Sequence, residues 1–81
     1  MNNSIKKWLS EHGYNYRDIQ ISFNSGVTDA IMVNTNYTGE HPPVETFRAH
    51  TEIQRYINRF HSDCMTEERG HWTGFLIYKP V

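Results

Sequence analysis

The feature that most constrains the fold is the strict alternation of apolar and polar side chains in residues 18–24, DIQISFN. An extended chain places the two isoleucines and the phenylalanine on one side and the polar residues on the other, which predicts a half-buried strand. Asn24-Ser25-Gly26 follows, and these residue types favour a tight turn. Residues 28–37, TDAIMVNTNY, are rich in β-branched side chains and predict the second strand of the same hairpin.

A helix is predicted before the hairpin. Asn3 or Ser4 can cap its N-terminus, and Gly13 stands where a left-handed C-cap would end it. Four residues recur at spacings of three and four and so share one helical face: Ile5, Trp8, Leu9 and His12. A strand over residues 5–10 stays open as an alternative.

The aromatic residues near this helix divide into two groups. Trp8 and Phe23 are predicted to belong to the core between helix and sheet, because each lies on the apolar side of its element. Tyr14 and Tyr16 fall in the connection between the two elements, so we expect at least one of them to be exposed.

The second half of the chain predicts a strand, a helix and a strand. Residues 38–43, TGEHPP, read as a loop, and residues 44–49, VETFRA, as a short third strand. Thr51 is predicted to cap the second helix, which frays between residues 62 and 69. The buried stripe of this helix is predicted to be Ile53, Tyr56, Ile57 and Phe60. Residues 72–80 carry apolar side chains on both faces, which is typical of a central or covered strand.

These elements predict a single α+β domain spanning residues 1–81. Its fold is a small four-stranded antiparallel sheet with two helices packed on one face, in the order α-β-β-β-α-β. The chain is short, so its core is small and a pocket for a large cofactor would compete with it.

Charge and cysteine content exclude several classes of protein. The formal net charge is -1, whereas a general nucleic-acid binder needs surplus Lys and Arg, so we expect no direct binding to nucleic acid. The single cysteine, Cys64, rules out an internal disulfide and suits a reducing cytoplasm. No secretory leader and no run of 18 apolar residues is present, so we expect a cytoplasmic protein that does not enter membranes.

No constellation of residues predicts catalysis or a metal site. His61 and Cys64 form a pair with ligand spacing, but His71 would need a distant fourth partner to complete a zinc site. Cys64 with His61 and Asp63 contains the residue types of a nucleophilic site without the spacing of a relay. We therefore expect no metal, no cofactor and no enzymatic activity.

A nucleic-acid-binding module is the alternative. The order α-β-β-β-α is that of double-stranded RNA-binding domains, which need a basic cluster at the start of the second helix. Here that helix opens with His50-Thr51-Glu52, which places an acid where the cluster should begin.

Binding to another protein is the favoured interpretation, because Tyr, Trp, Met and Arg are the residues that interfaces enrich. Met32 and Trp72 fit this composition. The predicted partner-binding residues are Trp8, Tyr14, Tyr16, Arg17 and Tyr37.

The opening segment IKKWLSEHGYNYRDIQI resembles small phage-encoded anti-CRISPR proteins that inhibit type I-F systems. The likeness extends over residues 5–60, through the turn at residues 24–26 and a strand ending at Phe47 that leads into a helix opening Thr51-Glu52. Its matching features are Ile5-Lys6, Leu9-Ser10, Asn15-Tyr16 and Ile19, with Trp8 in place of a tyrosine.

The resemblance implies an antiparallel sheet with two helices that binds the backbone subunits of a crRNA-guided surveillance complex. Such binding hinders pairing of the guide with target DNA in the bacterial host cytoplasm, and so evades host defence. Trp8 matches one aromatic contact position, whereas Ser22 replaces a second aromatic and Val33 replaces an acidic contact. That family also ends in a helix where residues 72–78 predict a strand. A different CRISPR type or another host system as the target would explain these departures.

Overall fold

A computed structural model describes residues 3–34, 44–69 and 74–80 of the chain. The α+β class is confirmed, with two helices and a four-stranded antiparallel sheet. In chain order the elements are α1 (Asn3–Glu11), β1 (Tyr16–Phe23), β2 (Gly26–Asn34), α2 (Val44–Phe60), β3 (Met65–Arg69) and β4 (Gly74–Tyr78).

The sheet is built from two hairpins that meet at its centre. Its strand order is β1-β2-β4-β3, and every neighbouring pair is antiparallel. Each hairpin is preceded by a helix, so the chain consists of two αββ units whose second strands pair with each other. The predicted central position of the last strand is thereby confirmed, and β1 and β3 form the two edges.

Both helices pack on one face of this sheet, as the sequence predicts. Among the described residues, the core between helices and sheet contains eight buried apolar side chains, two from each of α1, α2, β2 and β4: Ile5, Leu9, Ile53, Ile57, Ile31, Val33, Phe75 and Ile77. Neither helix of the described chain has the length and hydrophobicity that crossing a membrane would require.

The opposite face of the sheet, which we call the open face, is covered by neither helix. The strand register places Arg17, Ile19, Ile21 and Phe23 of β1 on it. Phe23 is 37% exposed and its ring contacts Tyr78 at a centroid distance of 5.7 Å. The prediction that Phe23 lies in the core between helix and sheet is therefore wrong. Alternation showed which side chains share a face, but it could not show which face the helices cover.

Residues 44–49 were predicted as a third strand, and this prediction is wrong because α2 begins at Val44. Two polar residues, Thr46 and His50, continue the buried stripe of Ile53 and Ile57 towards the N-terminus. Thr51 is not the cap of this helix. Its hydroxyl donates to the carbonyl oxygen of Phe47, four residues earlier, at 3.0 Å.

Residues 62–69 were predicted as a frayed helix end, whereas residues 65–69 form edge strand β3 and pair with β4. Helix α2 stops at Phe60, and a turn closed by the Cys64 amide donating to the His61 carbonyl at 2.9 Å reverses the chain. The order of elements is consequently α-β-β-α-β-β, and the predicted order α-β-β-β-α-β is corrected.

His50 gives the fold a testable dependence on pH. The residue is 4% exposed, and its ring packs against Phe75 at 4.9 Å. Burial lowers the pKa of His50, and the nearby Glu68 only partly opposes this effect. The unfolded chain therefore takes up a proton at a higher pH than the folded chain does.

We expect the free energy of unfolding to decrease as the pH falls below about 6.5, the ordinary pKa of histidine, by at most about 1.4 kcal/mol per pH unit. Urea unfolding at a series of pH values checks this. The His50→Leu variant should lose that slope, because no group at position 50 would titrate. An unchanged slope in the variant would assign the dependence to other residues.

Candidate functional site

Four aromatic side chains from α1, α2 and the segment after α1 meet on the helix side of the molecule. We call Trp8, His12, Tyr14 and Tyr56 the aromatic cluster. The Trp8 ring stacks on Tyr56 with a centroid distance of 4.3 Å and an interplanar angle of 8°. It also stacks on His12 at 4.0 Å and on Tyr14 at 6.0 Å. Trp8 is thus the centre of the cluster.

The end of α1 fixes the position of Tyr14. Gly13 has a φ of 78°, which favours glycine, and its amide donates to the Ser10 carbonyl at 3.1 Å. The Tyr14 amide donates to the Leu9 carbonyl at 2.9 Å. This pair of hydrogen bonds is the Schellman motif, which usually brings the residue after the glycine onto the last turns of the helix. The predicted C-cap at Gly13 is confirmed, and it turns Tyr14 back onto Trp8.

Glu52 of α2 connects the polar ends of two members of the cluster. The Tyr14 hydroxyl donates to Glu52 Oε2 at 3.2 Å, and His12 Nε2 lies 3.8 Å from Glu52 Oε1. His12 Nδ1 donates to the Trp8 carbonyl at 2.8 Å, which directs the other ring nitrogen towards this carboxylate. Burial, followed by the charge and hydrogen bond of Glu52, raises the pKa of Tyr14 to about 12.

Tyr56 holds the other side of the cluster. Its hydroxyl lies 2.9 Å from His61 Nε2 and donates to the carbonyl of Ser4 at 3.4 Å, so it bridges the start of α1 and the end of α2. Burial raises its pKa. Phe60 extends the aromatic surface, with its ring 5.6 Å from that of Tyr56 and 64% of the residue exposed. The Arg59 guanidinium lies over this ring at 5.3 Å.

The surface continues along the exposed side of α2. Phe47 is 55% exposed and Val44 is 60% exposed, and they line an open groove bordered by Arg48 and Arg55. Glu52 also lines this groove, so the groove and the aromatic cluster share one residue. The helix side of the molecule therefore presents aromatic and aliphatic area framed by charges of both signs.

This arrangement is suited to recognition. Trp8, Tyr14 and Tyr56 are half-buried and pack against the core, so their rings are held before any partner arrives. Rigid aromatic side chains offer large contact area at low cost in conformational entropy. Their polar ends remain at the surface, where interfaces typically place hydrogen-bonding groups.

The structure distributes the predicted partner-binding residues over both sides of the sheet. It brings Trp8 and Tyr14 together in the aromatic cluster. Tyr16 is half-buried and packs against the core. Arg17 is exposed on the open face, away from the cluster. Tyr37 lies outside the described residues, as do Trp72 and the prediction made for it.

Sequence reasoning did not include three residues of this surface: His12, Glu52 and Tyr56. Tyr56 was placed in the buried stripe of the second helix, and the exposed Phe60 was placed there as well. One signal was available, because the four-residue spacing of Trp8 and His12, and likewise of Tyr56 and Phe60, predicts that each pair shares one helical face. Only the packing of α1 against α2 makes these two pairs one surface.

Cys64 and His61, which precede β3, were considered as parts of a metal or nucleophilic site. Within residues 3–34, 44–69 and 74–80, no three His, Cys, Asp or Glu side chains lie close enough to hold a metal ion. Burial, together with the neighbouring Asp63, raises the pKa of the Cys64 thiol, which disfavours its reactive thiolate form. His71 falls outside the described residues.

The resemblance to anti-CRISPR proteins implies three contact positions, of which Trp8 matches while Ser22 and Val33 depart from that family's residues. Trp8 lies in the aromatic cluster, and Ser22 is exposed near the end of the first hairpin. Val33 is fully buried in the core and offers no surface for contact. Comparison of the chain with protein-family models, curated proteins and solved structures found no match.

Proposed function

We propose that this chain is a binding protein that inhibits a host macromolecular complex by covering one of its protein surfaces. The observation that carries the proposal is the aromatic cluster, in which Trp8 stacks on His12, Tyr14 and Tyr56 at the helix surface. Trp and Tyr at a pre-ordered, partly desolvated site are the residue types that dominate binding energy in protein interfaces. Inhibition by this route needs occupancy alone and no chemical turnover.

The proposed target is a CRISPR-Cas surveillance complex, and the protein would then be an anti-CRISPR carried by a phage or mobile element. This part rests on the resemblance of residues 5–60 to inhibitors of type I-F systems. Trp8 is the matching contact position that also lies in the aromatic cluster. Since Val33 is buried, binding has to use a different set of neighbours around Trp8 than that family does.

The nucleic-acid-binding alternative loses its main support. It depended on a third strand at residues 44–49 in the order α-β-β-β-α, whereas those residues belong to helix α2. The net charge of -1 also provides no surplus of cations to neutralise phosphates.

The test is capture of a purified type I-F surveillance complex on the immobilised protein, with and without nuclease. We expect nuclease-resistant capture, and inhibition of target-DNA binding in proportion to the amount bound. The Tyr14→Ala variant should bind at least about tenfold more weakly, because it removes one ring of the cluster.

Phe23→Ala is the matched control, since it removes an aromatic ring from the open face, and it should bind as the wild type does. Capture of nucleic acid alone, or loss of all protein on nuclease treatment, would refute the proposal. Capture of a different host complex with the same sensitivity to Tyr14→Ala would retain the binding surface and replace the CRISPR target.

A further inference from the structure

Strand β1 forms one edge of the sheet, and its hydrogen-bonding pattern can be derived from the turn that follows it. Phe23 and Gly26 flank a two-residue turn and pair with each other, so they exchange backbone hydrogen bonds. Along an antiparallel pair of strands, residues that bond to the neighbouring strand alternate with residues whose amide and carbonyl groups point away from that strand. The Asn34 amide donates to the Asn15 carbonyl at 3.0 Å, which agrees with this alternation at the far end of the strand.

The odd-numbered residues of β1 therefore bond to β2, and the even-numbered residues point their amides and carbonyls out of the sheet. The outward residues are Tyr16, Asp18, Gln20 and Ser22. In the described part of the chain, no other strand lies on this side of β1. An eight-residue edge strand of this kind, with four residues pointing outward, is a template for pairing with another strand.

The two edges of the sheet differ in how they are protected. Strand β3 is only five residues long and carries consecutive charges at Glu67, Glu68 and Arg69, which discourage pairing. Strand β1 is longer, and its centre, residues 19–22, has no charged side chain. The edge open to association is thus the β1 edge.

We infer that β1 pairs in antiparallel orientation with β1 of a second copy of this chain, about a two-fold axis at Ile19. This register sets each outward residue opposite another outward residue, Tyr16 opposite Ser22 and Asp18 opposite Gln20. Each such pair forms two backbone hydrogen bonds. Registers centred on Asp18 or Gln20 leave one outward residue at an end without a counterpart.

The charges of β1 do not oppose pairing in this register. Arg17 lies opposite Ile21, and Asp18 lies opposite Gln20, so no two like charges face each other. Lys6 Nζ lies 2.8 Å from Asp18 Oδ1, which provides a counter-charge to this carboxylate within each copy. The absence of opposed like charges removes the main electrostatic barrier to self-association.

Pairing joins the two sheets into one of eight strands and buries apolar surface on the open face. Ile19 meets its own copy across the axis, and Ile21 packs against the methylene groups of Arg17. The aromatic cluster lies on the helix side of the sheet and stays accessible. Self-association and partner binding therefore use different surfaces, and the test of one does not depend on the outcome of the other.

Sedimentation equilibrium of the purified chain is the first test. We expect a concentration-dependent mass that approaches twice the 9.6 kDa of one chain. Ile19→Lys sets two ammonium groups opposite each other and should weaken the dimer at least about tenfold. Met65→Lys makes the same change in charge on the same sheet face at the β3 edge, and it should leave the dimer intact. Circular dichroism should give the same fold for both variants.

A disulfide tests the register. In a Cys64→Ser background, Ile19→Cys places two thiols opposite each other in a pair that is not hydrogen-bonded, where Cα atoms about 4.5 Å apart permit a disulfide. This variant should cross-link on mild oxidation, whereas Ile21→Cys should not, because it faces Arg17 of the other copy. A wild-type monomer at all concentrations, or a dimer unaffected by Ile19→Lys, would overturn the inference. Cross-linking by Ile21→Cys alone would overturn the register.

Discussion

Replacing Ile57 with alanine is expected to lower the free energy of unfolding by about 3–4 kcal/mol. Ile57 is fully buried, and it belongs to the apolar cluster that joins both helices to the sheet. A domain of this size has a total stability of about 4–12 kcal/mol, so the loss is a large fraction of the whole. Each kcal/mol shifts the melting temperature of such a domain by about 4–8 °C.

Urea unfolding followed by circular dichroism measures this loss. The matched control is Ile21→Ala, which removes the same atoms from a half-buried residue on the open face and should cost less than about 1.5 kcal/mol in the monomer. Equal losses in the two variants would mean that the open face is as well packed as the helix face. The assignment of one core, on one side of the sheet, would then be wrong.

The parts of the fold that the sequence predicts are those in which local pattern and burial agree. Residues 18–24 alternate because β1 is half-buried, and the turn residues after Phe23 close the hairpin between β1 and β2. The spacing of Ile5 and Leu9 predicts α1 because both side chains enter the core. In α1 the apolar residues mark the side that enters the core, whereas in β1 they show only which side chains share a face, because that face is the open one.

The predicted second helix began too late, at Thr51 instead of Val44, because the start of the buried stripe of α2 is polar. Thr46 and His50 occupy core-facing positions, but neither is apolar, and Val44 and Phe47 are exposed although both are apolar. The apolar residues within 44–49 therefore mark the exposed face of the helix and not the face that packs on the sheet. The helix forms there because the downstream stripe at Ile53 and Ile57 docks the whole segment on the sheet, and tertiary packing outweighs local propensity.

Strand β3 was missed for the opposite reason. Its sequence MTEER has good helix formers, and apart from the half-buried Thr66 its residues are exposed. An edge strand with one partner is defined by its backbone pairing to β4, and that pairing leaves no hydrophobic pattern in the sequence. Polar edge strands of this kind are difficult to distinguish from helix ends by composition.

The candidate site could be predicted only in part, because it combines two helices that are distant in sequence. Trp8 and Tyr14 are adjacent to a recognisable helix end, and they were predicted as contacts. Tyr56 joins them only because α2 crosses close enough for its ring to stack on Trp8 at 4.3 Å. Core residue and contact residue were competing interpretations of Trp8, and a half-buried position at the edge of the core is compatible with both.

Replacing Trp8 with alanine is accordingly expected to reduce both stability and binding. We expect a loss of about 2–3 kcal/mol in the free energy of unfolding, less than for a fully buried tryptophan, because part of the ring is exposed. The removal also leaves His12, Tyr14 and Tyr56 without their common stacking partner. Binding to the proposed partner, a surveillance complex, should weaken by at least about 30-fold, which corresponds to the 2 kcal/mol typical of a central interface residue.

Ile57→Ala separates the two effects, because it destabilises the fold by a similar amount without changing the aromatic cluster directly. At a temperature where both variants are folded, Ile57→Ala should bind close to the wild-type level and Trp8→Ala should not. Trp8→Phe keeps an aromatic ring in the stack and should recover much of the lost binding. If Trp8→Ala and Ile57→Ala bind equally well, Trp8 acts only as a packing residue, and a binding site centred on the aromatic cluster is refuted.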